Sequence, residues 1–314
     1  MTIMRIEGVV YGVDDLDTCT RYFEDVGFER ASDDAGAVVF RTPVNQTIVL
    51  RRSDDPALPP LVGESPGIRE VVWGVNDQAG LEAIHAELVR DRPVAVDAAG
   101  VLHSSDLVGY HIAFRLTDPR PPTEPARGYN SPGDVHRVNR RLTARERPRP
   151  VSIIHVALDA PKQGHDEAND FYLRRLHFKA VDDSQPVGIF MQCEGETIHH
   201  NFLLVHRSDR RSTNHICIEV RDFDEVIEAG NFMTDRGWKE SRRLGRHTLG
   251  SNVFRFFNSP CGGRVEFAHD MDRMDKSWQT RVWEKAPPHH LWMVKFPGDP
   301  ERERAAGGGG AGGD

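Results

Sequence analysis

With 314 residues, 38% hydrophobic and 28% charged, the chain is long enough for two domains of ordinary size, each with a core. A formal net charge of -8 without any basic block argues against nucleic acid or an anionic membrane as a partner. No apolar run reaches spanning length, and MTIMRIEGVVYG lacks the build of a secretory leader, so a cytoplasmic protein with Cys19, Cys193, Cys217 and Cys261 reduced and buried is expected.

Four segments open alike, with a short apolar strand followed by an amphipathic helical pattern; they begin at Ile6, Ile68, Ser152 and Asn214. In the first, Asp14 or Asp15 can cap a helix carrying Leu16, Tyr22 and Phe23; in the fourth, Asp222 precedes Phe223, Val226, Ile227 and Phe232. Strand-like runs follow the helices, such as Ala37-VVFRT and Thr47-IVLRR in the first segment and Gly188-IFMQC and His200-NFLLVH in the third. The expectation is therefore an α+β fold of four βαβββ modules paired into two cup-like domains, at 1–117 and 151–270. Residues 118–150, rich in Pro and Arg, read as the linker, part of which packs on the surface. Residues 271–302 carry Trp278, Trp283, Trp292 and Phe296 and are expected to cover the second cup or a subunit contact, while 303–314 reads as a disordered tail.

The chemistry concentrates in the second half. His155, His215 and Glu266 each stand inside a short β-branched run, 60 and 51 residues apart. Two imidazoles and a carboxylate leave part of an octahedral coordination sphere open, the donor set of a non-haem Fe(II) site that takes up both a substrate and dioxygen. Laid over the second half, the first has Val10 opposite His155, Val72 opposite His215 and Ala113 opposite Glu266, which predicts one metal per chain. His206, His289 and His290 have no partner by spacing and read as structural, although His289 and His290 could sit on a lid. Arg242 and Arg243 read as a solvated face rather than an anion clamp.

These residues carry a resemblance. The paired modules, the order His, His, Glu, the His199-His200 pair ahead of His215, Gly245-Arg-His247-Thr and Ser259-PCGGRVEF267 are together similar to the vicinal oxygen chelate superfamily, and within it to the two-domain type I extradiol ring-cleaving dioxygenases. That resemblance implies a catecholic aromatic substrate opened by O2 beside its two oxygens, with Fe(II) or Mn(II) as the cofactor; a homo-oligomer is expected besides. It implies His200 as the acid–base group and His247 as a second catalytic or pocket-lining residue. Strand alternation lets only one of His199 and His200 face the cup; His199 is retained for substrate binding, with the surface as its other placing. The family's usual tyrosine ten residues before the glutamate is Phe256 here, and no tyrosine follows Tyr172. Arg243 or Arg255 could hold the substrate oxygen in its stead. The missing hydroxyl leaves two alternatives open: a metal-dependent lyase, isomerase or hydrolase on the same scaffold, and a non-catalytic small-molecule binding protein.

Overall fold

The computed structural model describes residues 2–34, 36–185, 187–206, 209–297 and 299; the Gly-rich tail expected to be disordered lies outside them. The first module comprises β1 (Ile3–Val13), α1 (Leu16–Val26), β2 (Glu29–Asp34), β3 (Ala37–Arg41) and β4 (Thr47–Arg52). The second comprises β5 (Gly67–Val75), α2 (Gln78–Leu88), β6 (Ala95–Val96), β7 (Leu102–Ser105) and β8 (His111–Leu116). The third has β9 (Ser152–Asp159), α3 (His165–Asp170) running into a π-turn over Phe171–Arg175, then β10 (Lys179–Ser184), β11 (Gly188–Gln192) and β12 (Phe202–Val205). The fourth has β13 (Ser212–Glu219), α4 (Phe223–Asp235), β14 (Glu240–His247), β15 (Val253–Asn258) and β16 (Arg264–His269), and the extension adds β17 (Arg281–Trp283) and β18 (His290–Met293). Helix starts follow the capping rule. Asp15, Asp77 and Asp222 each accept a hydrogen bond from the backbone N–H three residues on, satisfying a donor the first turn leaves free.

The strands form two sheets, ordered β2-β3-β4-β1-β5-β8-β7-β6 and β17-β10-β11-β12-β9-β13-β16-β15-β14-β18. In each sheet the first strands of two modules pair antiparallel at the centre, flanked in parallel by their own modules' last strands. One apolar core runs through both halves: Trp73 packs edge-on against Phe178 and Phe202, and Gln46 donates to the carbonyls of both Ile6 and Ile153. The segment 118–150 is largely irregular and is tied to α4 by ion pairs, with Arg127 bridging Asp222 and Glu228. The extension adds β17 and β18 to the two edges of the second sheet, where Trp278 donates to the Val181 carbonyl. All four cysteines are free and buried, and among the described residues no helix is long and apolar enough to cross a membrane.

Candidate metal centre and its pocket

β9, β13 and β16 are neighbours at the centre of the second sheet, and Cys217 stands in register with both His155 and Glu266. Register shifts between Thr213 and His215 and between Cys217 and Ile218 bracket this point, and such irregularities re-aim side chains. The turn before β16 needs its glycines. Gly263 has φ +63°, and a Cβ there would lie 2.5 Å from the Thr213 carbonyl oxygen, so only glycine lets β16 start tight against β13.

Three donor atoms converge as a result. His155 Nε2 lies 2.9 Å from His215 Nε2, and Glu266 Oε2 lies 3.3 Å from the first and 3.4 Å from the second. His215 Nδ1 faces Asn214 Oδ1 at 2.8 Å, and the Asn214 amide nitrogen donates to Asp159 Oδ1 at 2.7 Å, which fixes how the amide is turned. The neutral His215 ring therefore carries its proton on Nδ1 and presents a bare Nε2 to the centre. Glu266 Oε2 is buried and has no hydrogen-bond partner among the described residues, whereas Oε1 accepts from Asn252 Nδ2 at 2.9 Å and faces His247 Nε2 at 3.2 Å. Lone pairs so close in a water-poor site repel unless a cation sits between them. Metal–nitrogen bonds of about 2.1 Å set cis ligands about 3.0 Å apart in octahedral geometry, so the observed separations fit one ion.

The protonation states match. Burial drives the His215 imidazolium down to about 3, and for Glu266 burial opposes ionisation but the contacts of His155, His215 and His247 outweigh it and hold the carboxyl well below its ordinary value. Neutral imidazoles and an ionised carboxylate are what a divalent cation needs. Cys217 Sγ belongs to the same group of atoms, within 4.8 Å of donor atoms of His155 and Glu266. Burial and the Glu266 charge push its thiol up, and it packs among Ile154, Ile198, Ala268 and Met271, so it is a protonated neighbour rather than a thiolate ligand.

A cavity of about 320 Å³ opens over these atoms, with His200, His247 and Phe256 in its wall and Phe190 and Leu203 as apolar lining. His200 stacks on His155 at 4.2 Å between ring centroids, and burial lowers its imidazolium well below the ordinary value. His247 stacks on Phe254 at 4.0 Å. Phe256 stands edge-on to His215 at 5.3 Å, with the guanidinium groups of Arg242 and Arg264 each 5.3 Å from its ring.

The placements expected for four residues need correction. His199 is neither at the surface nor in the pocket wall: it is buried behind His200, because residues 199–201 form an irregular turn ahead of β12 and strand alternation does not apply there. Arg255 points away from the cavity to Glu240 and the Ile227 carbonyl, and Arg243 pairs with Asp299 and covers Phe296. Arg242, opposite Phe256 in the β14–β15 register, faces the cavity instead, and so does Arg264. Alternation from Glu266 could have found Arg264, two residues earlier on the same strand. Nothing local marks Arg242, Asn252 or Asp159, whose roles depend on strand pairing. His289 also lines the cavity, packing against His247 at 4.7 Å, as a lid residue would. His206 is structural, with Nδ1 on the Pro161 carbonyl.

Residues 152–267 match the Glyoxalase/Bleomycin resistance protein/Dioxygenase superfamily, the stretch that carries all three donors. Metapyrocatechase 2 of Cupriavidus necator is 32% identical over 229 residues, spanning 71% of this chain and 69% of the relative. The chain belongs to the extradiol dioxygenases. Among solved structures, this dioxygenase resembles BphC, a halotolerant catechol dioxygenase, with a TM-score of 0.73 at 16% identity over 94% of this chain and 95% of that one. It also resembles the Mn(II)-bound glyoxalase from Novosphingobium aromaticivorans, with a TM-score of 0.70 at 21% identity over 91% and 89%. One scaffold thus serves two reactions, so the particulars of this dioxygenase rest on its own pocket residues.

Proposed function

We propose that the protein cleaves a catecholic ring with O2 beside the two ring oxygens, using one Fe(II) held by His155, His215 and Glu266, with Mn(II) as the alternative metal. The observation that carries this reading is the convergence of two imidazole nitrogens and the hydrogen-bond-free Glu266 Oε2 beneath a cavity. An ion held by His155, His215 and Glu266 would supply Lewis-acid and redox chemistry toward a ring's oxygens and dioxygen. The chain's residues do the rest. Phe190, Leu203 and Leu249 give the ring an apolar bed and exclude water from it. At about 320 Å³ the cavity lies near the lower end of small-molecule sites, about 300–1,000 Å³, which favours a single substituted ring.

Where relatives of this type place a tyrosine hydroxyl, Phe256 offers only a ring edge. Arg242 and Arg264 flank that ring, and we assign to them the polar contact with the substrate oxygens. His200 stands on the cavity side of His155, placed to exchange a proton with a ring hydroxyl. Asn252 and His247 occupy Glu266 Oε1 and so turn Oε2 toward the centre. Anaerobic loading with ferrous iron, followed by oxygen-electrode measurement with a panel of catechols, tests the reading. Oxygen uptake in step with a yellow ring-opened product is the expected result. Turnover without oxygen uptake would replace it with Lewis-acid lyase or isomerase chemistry on the same donors.

A further inference from the structure

Behind His200 runs a row of hydrogen bonds closed to water. His199 Nδ1 lies 2.9 Å from His200 Nδ1, and His199 Nε2 lies 2.7 Å from Asp182 Oδ2. The other oxygen, Asp182 Oδ1, accepts from Trp283 Nε1 at 2.7 Å. Asp182, His199 and His200 are all buried. Asp182 sits on β10 beside a register shift from Ala180, and Trp283 comes from the extension strand β17, which pairs with β10. Four residues drawn from three remote segments therefore form one line that ends at the cavity.

The chemistry of the groups sets the direction of that line. An indole N–H can only donate and an ionised carboxylate can only accept. With Trp283 on one oxygen of Asp182, His199 must donate to the other from Nε2. With His199 neutral, the proton on Nε2 leaves Nδ1 bare to accept, and His200 then donates from its own Nδ1. We infer that Asp182 is a positioning residue that acts through His199 to fix the tautomer of His200, leaving His200 Nε2 unprotonated on the cavity side. A carboxylate behind a histidine setting which nitrogen faces the chemistry is a known device in hydrolytic triads; here a second imidazole is interposed. The functional consequence rests on the reading of His200 given above: an incoming ring hydroxyl would donate to His200 rather than accept from it. The extension is tied into this row, since Trp283 donates to the second oxygen of Asp182, but the carboxylate alone sets the direction.

The test uses the metal-free full-length chain with ¹⁵N-labelled histidine, in which long-range ¹H–¹⁵N correlations report the tautomer of each ring. In the native chain His200 should carry its proton on Nδ1; a proton on Nε2 overturns the inference with no variant needed. In Asp182→Asn the amide oxygen is claimed by Trp283, so the amide nitrogen donates to His199 Nε2 and the row reverses. His200 should then show the Nε2–H pattern, and retention of the native pattern in a folded Asp182→Asn chain would likewise refute it. Trp283→Phe removes a donor without altering the carboxylate, so the native tautomer should persist. Iron content of Asp182→Asn, measured after reconstitution, should equal that of the native chain, as a positioning role requires; loss of iron would mark Asp182 as support for the metal centre instead. The spectra are readable whether or not a catechol is turned over, so failure of the reaction assignment and failure of the tautomer assignment are seen separately.

Discussion

Replacing Asn214 with alanine should weaken metal binding without touching any of the three donors. The Asn214 amide oxygen accepts from His215 Nδ1 at 2.8 Å and from Arg264 Nη2 at 2.5 Å, while its amide nitrogen is anchored on Asp159. Without that oxygen the His215 ring loses the bond that fixes its tautomer and its rotation. Loss of one outer hydrogen bond to a metal-bound histidine costs about 10- to 100-fold in affinity, which is about 1.4–2.7 kcal/mol. The Arg264 guanidinium loses the same acceptor but keeps the Asn214 backbone carbonyl as a partner for Nε. Anaerobic competition against a chelator of known affinity, with cobalt(II) as a spectroscopic probe, gives Kd for the native chain and for Asn214→Ala. Circular dichroism confirms that the sheet is intact. A Kd within twofold of native would refute the claim that His215 coordinates through Nε2 under the control of Asn214.

Three further outcomes are expected. His200→Asn should keep native iron content and lose most ring-cleaving turnover, and metal analysis showing the iron gone would reassign His200. Phe256→Tyr adds a hydroxyl where the ring edge now faces the centre; a hydrogen bond to a charged or metal-bound oxygen contributes about 1.5–3 kcal/mol, so kcat/KM for a catechol should rise about 10- to 100-fold. No gain at unchanged iron occupancy would show that Arg242 and Arg264 already satisfy that oxygen. The metal-free chain should also lose stability on acidification: His215 is buried neutral, with a folded-state value of about 3, and must take up a proton on unfolding once the pH drops below its ordinary value near 6.5. Its contribution is complete above that pH and falls by about 2 kcal/mol by pH 5, from 1.5 pH units at 1.36 kcal/mol each. Burial pushes Asp106 up to about 6 and works the other way below that pH, so urea denaturation of the native chain is compared with His215→Gln, which removes the His215 part of the pH slope. Equal slopes in the two chains would show that His215 titrates normally.

The module plan was legible because the signals are local: short apolar, β-branched runs mark the central strands, helical spacing marks α1 and α4, and aspartates stand at the caps. The convergence of His155, His215 and Glu266 was legible because all three lie within well-marked strand runs. What escaped depends on pairing between strands. Arg242 rather than Arg243 faces the cavity because the β14–β15 register shifts between Arg242 and Gly245, and no feature of Arg242-Arg243 announces that. The partner of His199 is 17 residues away on an irregular strand, so a residue expected near the substrate is instead held from behind by Asp182. Phe256 was placed correctly from its distance to Glu266, since β15 and β16 form a hairpin in which the two residues are directly opposed.

Overlaying the two halves by sequence alone misplaced two of three positions, and the correction sharpens the expected stoichiometry. Both central strand pairs carry register shifts, and aligning those shifts puts Gly8 rather than Val10 opposite His155 and Glu70 rather than Val72 opposite His215. Val72 corresponds to Cys217, and Ala113 still matches Glu266. The first sheet therefore offers one carboxylate where the second offers two imidazoles and a carboxylate, and that carboxylate is already engaged by His103 Nδ1 at 2.8 Å. The Glu70 contact in turn raises the His103 imidazolium above its ordinary value, favouring an ion pair over a vacant ligand. One donor of three does not hold a divalent ion against water, so metal analysis of the reconstituted chain should give one equivalent, falling toward zero in His215→Ala and unchanged in Glu70→Gln. Two equivalents in the native chain, or a loss of metal in Glu70→Gln, would show that the first sheet binds an ion by donors its register does not bring together.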